Sequence, residues 1–395
     1  MNSILQKSFL FFFLLCSILN NSSSFSQELT KEDNNLLFSD LAQNQIIALG
    51  DATHSDYTAS KFRVDLMKEL VENYNFTIIG IESNLYEVYK AFEDFKKNAD
   101  IVAMNSSIYT IVRNNHLDEL FFYLKEQNEK GNNIKVFGFD ASLSGGNAYE
   151  TFMQGIESNL NNTEIECGDI SLQTFSKRFK NLTPTNLKAL LRTKKDYNVV
   201  YDYLGCYLNQ DTTGDDNEVL NRALANLHAT IEGKQAGKMN HYTRDSLMFN
   251  NIVYLKNKYP KEKMILFGST SHFIKSPKTI NSKYMPSQEW VSLGERLHKA
   301  FPKDYFFIAY TGVSGNTRGF YGKKVKLGKL LPNSIENTVN EKYDSSNQIM
   351  YLSVNRDKSI LDKADSSRIL GNTFQEMDIS SNVDGLFLIR DSNMD

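Results

Sequence analysis

The chain has 395 residues, a length between one large domain and two ordinary ones. With 41% hydrophobic and 23% charged residues it can bury a sizeable core, which excludes global disorder. A net charge of −3 leaves no basic surplus for nucleic acid, and three cysteines are too few for a disulfide scaffold.

Met1–Ser26 reads as a secretory signal peptide. Lys7 precedes the apolar run Phe9–Leu19, and Ser24-Phe25-Ser26 puts small residues at −3 and −1 of a cleavage after Ser26. The run is short for a membrane span, and no later segment is long and apolar enough to cross a bilayer. An uncleaved anchor, or a lipid on Cys16 behind the bulky Leu15, fits less well. The expectation is an exported protein, periplasmic or extracellular, with no stable membrane insertion after cleavage. Residues 27–395 are expected to form one domain. Cys167 and Cys206 either pair in an oxidising compartment or stay as two buried thiols.

Next come short apolar runs that read as strands: Ile46–Leu49, Thr77–Ile81, Ile134–Phe139, Met264–Phe267, Tyr305–Tyr310 and Gly385–Ile389. Continuous apolar runs suit strands buried on both faces. Helical stripes lie between them: Phe62, Leu66, Leu70; Leu85, Val88, Phe92, Phe95; Leu117, Leu120, Phe121, Leu124; Met248, Ile252, Leu255, Tyr259. Alternating strand and helix predicts an α/β fold with a mostly parallel central sheet flanked by helices. A helical insertion, about residues 145–240, separates the third and fourth core strands and covers one edge of the sheet. It reads as a lid, a substrate wall or a structural layer. Residues 316–350 read as a hairpin and loop, with Lys323, Lys324, Lys326 and Lys329 on a solvated face.

The polar residues cluster where strands end. The first strand runs into Asp51 and His54, the second ends at Glu82, the third at Asp140, and the fourth is followed by Ser269 and His272. In an open parallel sheet the carboxyl ends lie on one edge, where ligands bind. Asp51, His54, Glu82, Asp140 and His272 are therefore expected to converge. A neutral imidazole can take a proton from water, and a carboxylate can hold its tautomer. There is no G-x-S-x-G elbow, no H-E-x-x-H helix, no C-x-x-C pair and no glycine-rich phosphate loop.

In order along the chain, these segments resemble the erythromycin esterase-like family. Ile46–His54 is similar to its G-E-x-x-H opening, with Asp51 in place of Glu. Ile78–Glu82 resembles the second strand ending in Glu, and Val136–Asp140 the G-x-D strand. Arg244–Asn251 resembles the R-D-x-x-M-x-x-N helix, and Met264–His272 the strand ending in A-H-N-x-H, with Ser269 and Thr270 replacing His and Asn. The resemblance implies a hydrolase of a carboxylic ester, in known members a macrolide lactone, without a required metal or cofactor. It implies His54 as the base, oriented by Asp51 or Glu82, with His272 protonating the leaving alkoxide or polarising the carbonyl, and Arg63 and Arg244 as supporting positives. These arginines either hold carboxylates or face a developing oxyanion. Asp140 and Ser269 complete the supporting set. The implied partner is a small ester molecule. Two alternatives stand beside it: a metal-dependent hydrolase, since two histidines and several carboxylates can hold Zn²⁺ or Mn²⁺, and a non-catalytic relative that binds a small hydrophobic ligand.

Overall fold

The computed structural model describes residues 29–54, 56–160, 167–183, 192–210, 215–237, 241–282, 290–318, 323–343 and 348–393. The expected leader and its cleavage point lie outside them.

The chain enters through α1 (Lys31–Ala42), β1 (Ile46–Asp51), α2 (Tyr57–Tyr74), β2 (Phe76–Asn84), α3 (Leu85–Asn98), α4 (Ile101–Ser106), α5 (Asn115–Glu129) and β3 (Lys135–Asp140). Side-chain caps set these boundaries: Asp56 accepts from Ala59 N to start α2, and Asn84 accepts from Tyr86 N and Glu87 N to start α3. Helices α6 (Ala148–Leu160), α7 (Leu172–Leu182), α8 (Lys194–Tyr207) and α9 (Asp215–Gln235) follow, then α10 (His241–Lys258) and β4 (Lys263–Ser269). The remainder is α11 (Thr270–Phe273), β5 (Ile280–Asn281), α12 (Leu293–Ala300), β6 (Tyr305–Arg318), β7 (Lys324–Lys326), α13 (Ile335–Lys342), β8 (Ile349–Ser353), α14 (Val354–Leu361), β9 (Ser366–Ser367), β10 (Gln375–Met377), α15 (Ile379–Asn382) and β11 (Gly385–Ser392).

The main sheet has the order β3-β2-β4-β1-β6-β11-β8. All pairings from β3 through β11 are parallel, and β8 closes the edge antiparallel to β11. The fold is thus the expected mostly parallel α/β sheet. β1 is buried at every position because both its faces are covered. One face carries α1, α2 and α5 through Leu37, Phe62, Leu66 and Leu120; the other carries α6 to α10 and α12 through Phe152, Leu204, Leu224 and Ile252. Helix α3 straddles the divide, with Leu85 and Tyr86 on one side and Val88, Phe92 and Phe95 on the other.

Residues 145–240 are helical where described. α6 and α9 pack on α3, and α9 also packs on α10. Cys167 and Cys206 form a disulfide that ties the segment before α7 to the end of α8. The region expected as hairpin and loop differs in part. β6 does turn back on β7, and the four lysines are exposed there. But residues 335–342 form helix α13, because Ser334 caps Asn337 N and Ile335 and Val339 reach the core. The short apolar run Ile349–Ser353 is also a strand, β8, outside the expected set.

Candidate active site

Register brings the strand ends level. Asp51 at the end of β1 sits opposite Ser269 at the end of β4, and Ile81 of β2 pairs with Phe267. Gly268 makes room: a Cβ there would lie 2.8 Å from Glu82 Oε2. Glu82 therefore lies across it and accepts from Ser269 N at 2.7 Å. The Ser269 hydroxyl accepts from Ser271 N and starts α11, which carries His272.

Asp51, His54, Glu82, Asp140 and His272 do meet at this edge, linked through Arg244. His54 Nδ1 is 3.0 Å from Asp51 Oδ1, an ion-pair contact, and His54 Nε2 is 3.9 Å from Glu82 Oε2. Glu82 Oε1 faces His272 Nε2 at 3.3 Å and accepts from Arg244 Nη2 at 3.1 Å. Arg244 also donates to Asp140 through Nε and Nη2, at 3.2 and 2.5 Å, and Nη1 is 3.0 Å from His272 Nε2. Asp51 Oδ2 accepts from Arg63 Nη2 at 2.6 Å. Arg63 is 1% exposed and its guanidinium lies 3.8 Å over the Phe267 ring.

Of the two roles open to the arginines, both therefore hold carboxylates: Arg63 is sealed in the core on Asp51, and Arg244 donates to Asp140 through Nε and Nη2 and to Glu82 through Nη2. His54 is 13% exposed at its side chain, against 3% for Asp51 and Glu82. Its backbone has φ 58°, the left-handed region, which for a residue with a side chain costs about 1–2 kcal/mol. Such strain persists where surrounding structure imposes it, and it concentrates at functional sites.

The electrostatics follow from these contacts. Burial opposes charge on Asp51, but Arg63 and then His54 outweigh it and hold the carboxyl below its usual range. Burial likewise opposes a proton on His54, and Asp51 outweighs it, so the imidazole is more basic than usual. Glu82 is held well below the carboxylate range, against burial, by His272, His54 and Arg244. His272 overcomes burial through Asp245 and Glu82, and its pKa is pushed up to about 10.

Asp245 is the residue that the sequence reading missed. Its Oδ1 lies 2.6 Å from His272 Nδ1, and its Oδ2 accepts from Trp290 Nε1 and Leu293 N. A signal was present: the apolar stripe Met248, Ile252, Leu255, extended three residues back, lands on Asp245. A carboxylate on a buried stripe needs a partner. Trp290 and Phe273 belong to the core, and Tyr57 stacks against His116 with ring centroids 4.2 Å apart. Among the described residues, no group of three or more His, Cys, Asp or Glu is arranged to hold a metal ion.

Sheet and cluster together define an α/β protein with a buried cluster of histidines, acids and arginines at the carboxyl edge of its parallel strands. The chain belongs to the erythromycin esterase family, whose sequence profile matches residues 71–392. It is 21% identical over 318 residues to "Putative hydrolase YbfO" of Bacillus subtilis, an alignment covering 69% of this chain and 67% of that protein. A mutant of the erythromycin esterase EreC in its open conformation superposes with a TM-score of 0.67 at 15% identity, covering 93% of this chain and 96% of that one. A Bacillus cereus protein gives 0.66 and a succinoglycan biosynthesis protein 0.64, each at 15% identity over 92% of both chains. These three are likenesses of fold. Family and relative together support hydrolysis as the class of chemistry.

Proposed function

We propose that the protein is an exported, metal-independent carboxylic ester hydrolase in which His54 activates water. The observation that carries this reading is His54 itself: more open than its acid partners, strained in its backbone, and flanked by Asp51 and Glu82. His54 takes a proton as the water oxygen adds to the ester carbonyl carbon. The tetrahedral intermediate then breaks its C–O bond, and the same proton goes to the leaving alkoxide, giving acid and alcohol. Asp51 steadies the imidazolium. Glu82 links it to Arg244, which donates to Glu82 and Asp140, and to His272, whose Nδ1 meets Asp245 and whose Nε2 faces Glu82. His272 thus serves as a fixed positive charge behind Glu82, and macrolide lactones are one substrate class to be tested. The disulfide supports export, because such bonds persist in oxidising compartments.

The test is hydrolysis of a panel of macrolides and simple esters by the EDTA-treated protein, with His54→Ala in parallel. Turnover by the wild type alone is expected. Equal turnover by His54→Ala would sink the assignment, and activity restored only by Zn²⁺ or Mn²⁺ would replace it with the metal-dependent reading. Ligand-induced thermal stabilisation without any turnover would favour the non-catalytic relative.

A further inference from the structure

Residues 305–335 hold five basic side chains, Arg318, Lys323, Lys324, Lys326 and Lys329, and no Asp or Glu. The whole chain has 47 acids and a net charge of −3, so this stretch is a local reversal of sign. It forms β6, β7 and the segment after β7. The four lysines are exposed, and no ion pair joins them to an acid among the described residues. Asp391, opposite Ser314, lies at the root of the hairpin. Lysines on an edge strand such as β7 discourage further strands from pairing. That need accounts neither for Lys329, which lies past the strand, nor for the apolar exposure beside it.

The hairpin stands next to the site. β6 runs on past β1, whose pairing with it ends at Gly50 and Ala309, and Thr317 Oγ1 meets Thr53 Oγ1 at 3.0 Å, one residue from His54. Segment 107–114, between α4 and α5, stands on the other side. There Tyr109 N donates to the Ser83 hydroxyl at 2.8 Å, one residue from Glu82. In the sheet β4 and β1 lie between β2 and β6, so the two segments flank the His54–Glu82 cluster. Six large apolar side chains are exposed among the described residues, and four of them are on these segments: Tyr109 and Ile111 on one, Val325 and Leu331 on the other. Single exposed apolar residues are ordinary, but these gather on the edge that also carries the lysines. A soluble polyanion would engage the charges and leave the apolar side chains in water. A lipid surface engages both.

We propose that this edge adsorbs to an anionic lipid surface, with the lysines against phosphate headgroups and Tyr109, Ile111, Val325 and Leu331 in the interfacial layer. Adsorption is peripheral: no helix among the described residues is long and apolar enough to cross a membrane. It presents the His54 site to esters held in the membrane. That consequence rests on the esterase reading; adsorption does not.

The experiment is sedimentation of the whole protein with vesicles of phosphatidylcholine, alone or mixed with phosphatidylglycerol, at low and high salt. Wild type, His54→Ala, Lys324→Glu/Lys326→Glu and Ile111→Ser/Val325→Ser are compared. The four side chains changed in the double variants are exposed, so both variants should fold, which circular dichroism checks. Wild type and His54→Ala should bind the mixed vesicles, not the neutral ones, and less tightly as salt rises. Lysine reversal should weaken partitioning by about 10- to 100-fold, and the apolar double variant by about 3- to 30-fold. Equal binding to both vesicle types, or binding that the lysine reversal leaves intact, overturns the proposal. Binding that the apolar double variant leaves unchanged and dextran sulfate abolishes would replace it with a site for soluble polyanions. Adsorption without hydrolysis of any ester leaves the lipid surface standing and removes the esterase reading instead.

Discussion

At the scale of single residues, His54 and its partners make the sharpest predictions. His54→Ala should lower kcat/KM by about 10²–10⁴-fold with an unchanged circular dichroism spectrum. The base works unprotonated, and its pKa lies above 6.5, so kcat/KM should rise with pH through that raised value. Asp51→Asn removes the charge that raises it and leaves Arg63 unopposed. Its pH–rate profile should therefore keep an acidic limb, shifted to lower pH, with a smaller plateau. An unshifted limb would show that another group titrates. His272 gives a stability signature. Its folded pKa of about 10 lies above the ordinary imidazole value of 6.5, so its contribution is full below pH 6.5 and fades as pH rises towards 10. Thermal melts should show Tm falling across that window, with a shallower slope in His272→Gln.

At the scale of elements, two devices hold the site's supports. Strands β2 and β3 deliver Glu82 and Asp140, and their register shifts between Ile81 and Asn84. Gly138 lies beside that irregularity: a Cβ there would lie 2.1 Å from Asn84 O and 2.2 Å from Ser83 O. Neither is a flexible side-chain tip, so the strands must part. Gly138→Ala should cost about 3 kcal/mol or more in urea unfolding and reduce turnover, since Glu82 and Asp140 move with the strands. The second device is the Cys167–Cys206 bond, which closes a span of 39 residues within the helical region. Cys206→Ser should lower stability by about 2–4 kcal/mol. A reductant should lower the Tm of the wild type and leave that of the variant unchanged.

At the scale of the whole molecule, the proposed leader and the disulfide make one joint prediction about destination. Expressed from Met1 in a bacterial host, the chain should appear in the exported fraction with Gln27 as its first residue and no titratable thiol. Mass spectrometry of the N-terminus and a thiol assay under denaturing conditions check this. A chain that keeps Met1 and pellets with membranes would establish the anchor instead.

The core strands, the parallel sheet and the meeting of Asp51, His54, Glu82, Asp140 and His272 were legible in the sequence for one reason. Apolar runs mark strands buried on both faces, and parallel strands present their carboxyl ends on one edge. That is local pattern plus topology, and both are written along the chain. The tertiary structure decided what depends on partners distant in sequence. Helix α13 and strand β8 lie in a stretch whose polar composition reads as loop, and their short apolar signals, Ile335 with Val339 and Ile349–Leu352, become elements because the core accepts them. Asp245 became His272's partner only when α10 was laid against α11 and α12. The arginines' choice between oxyanion and carboxylate was settled by burial and by the acids packed against them.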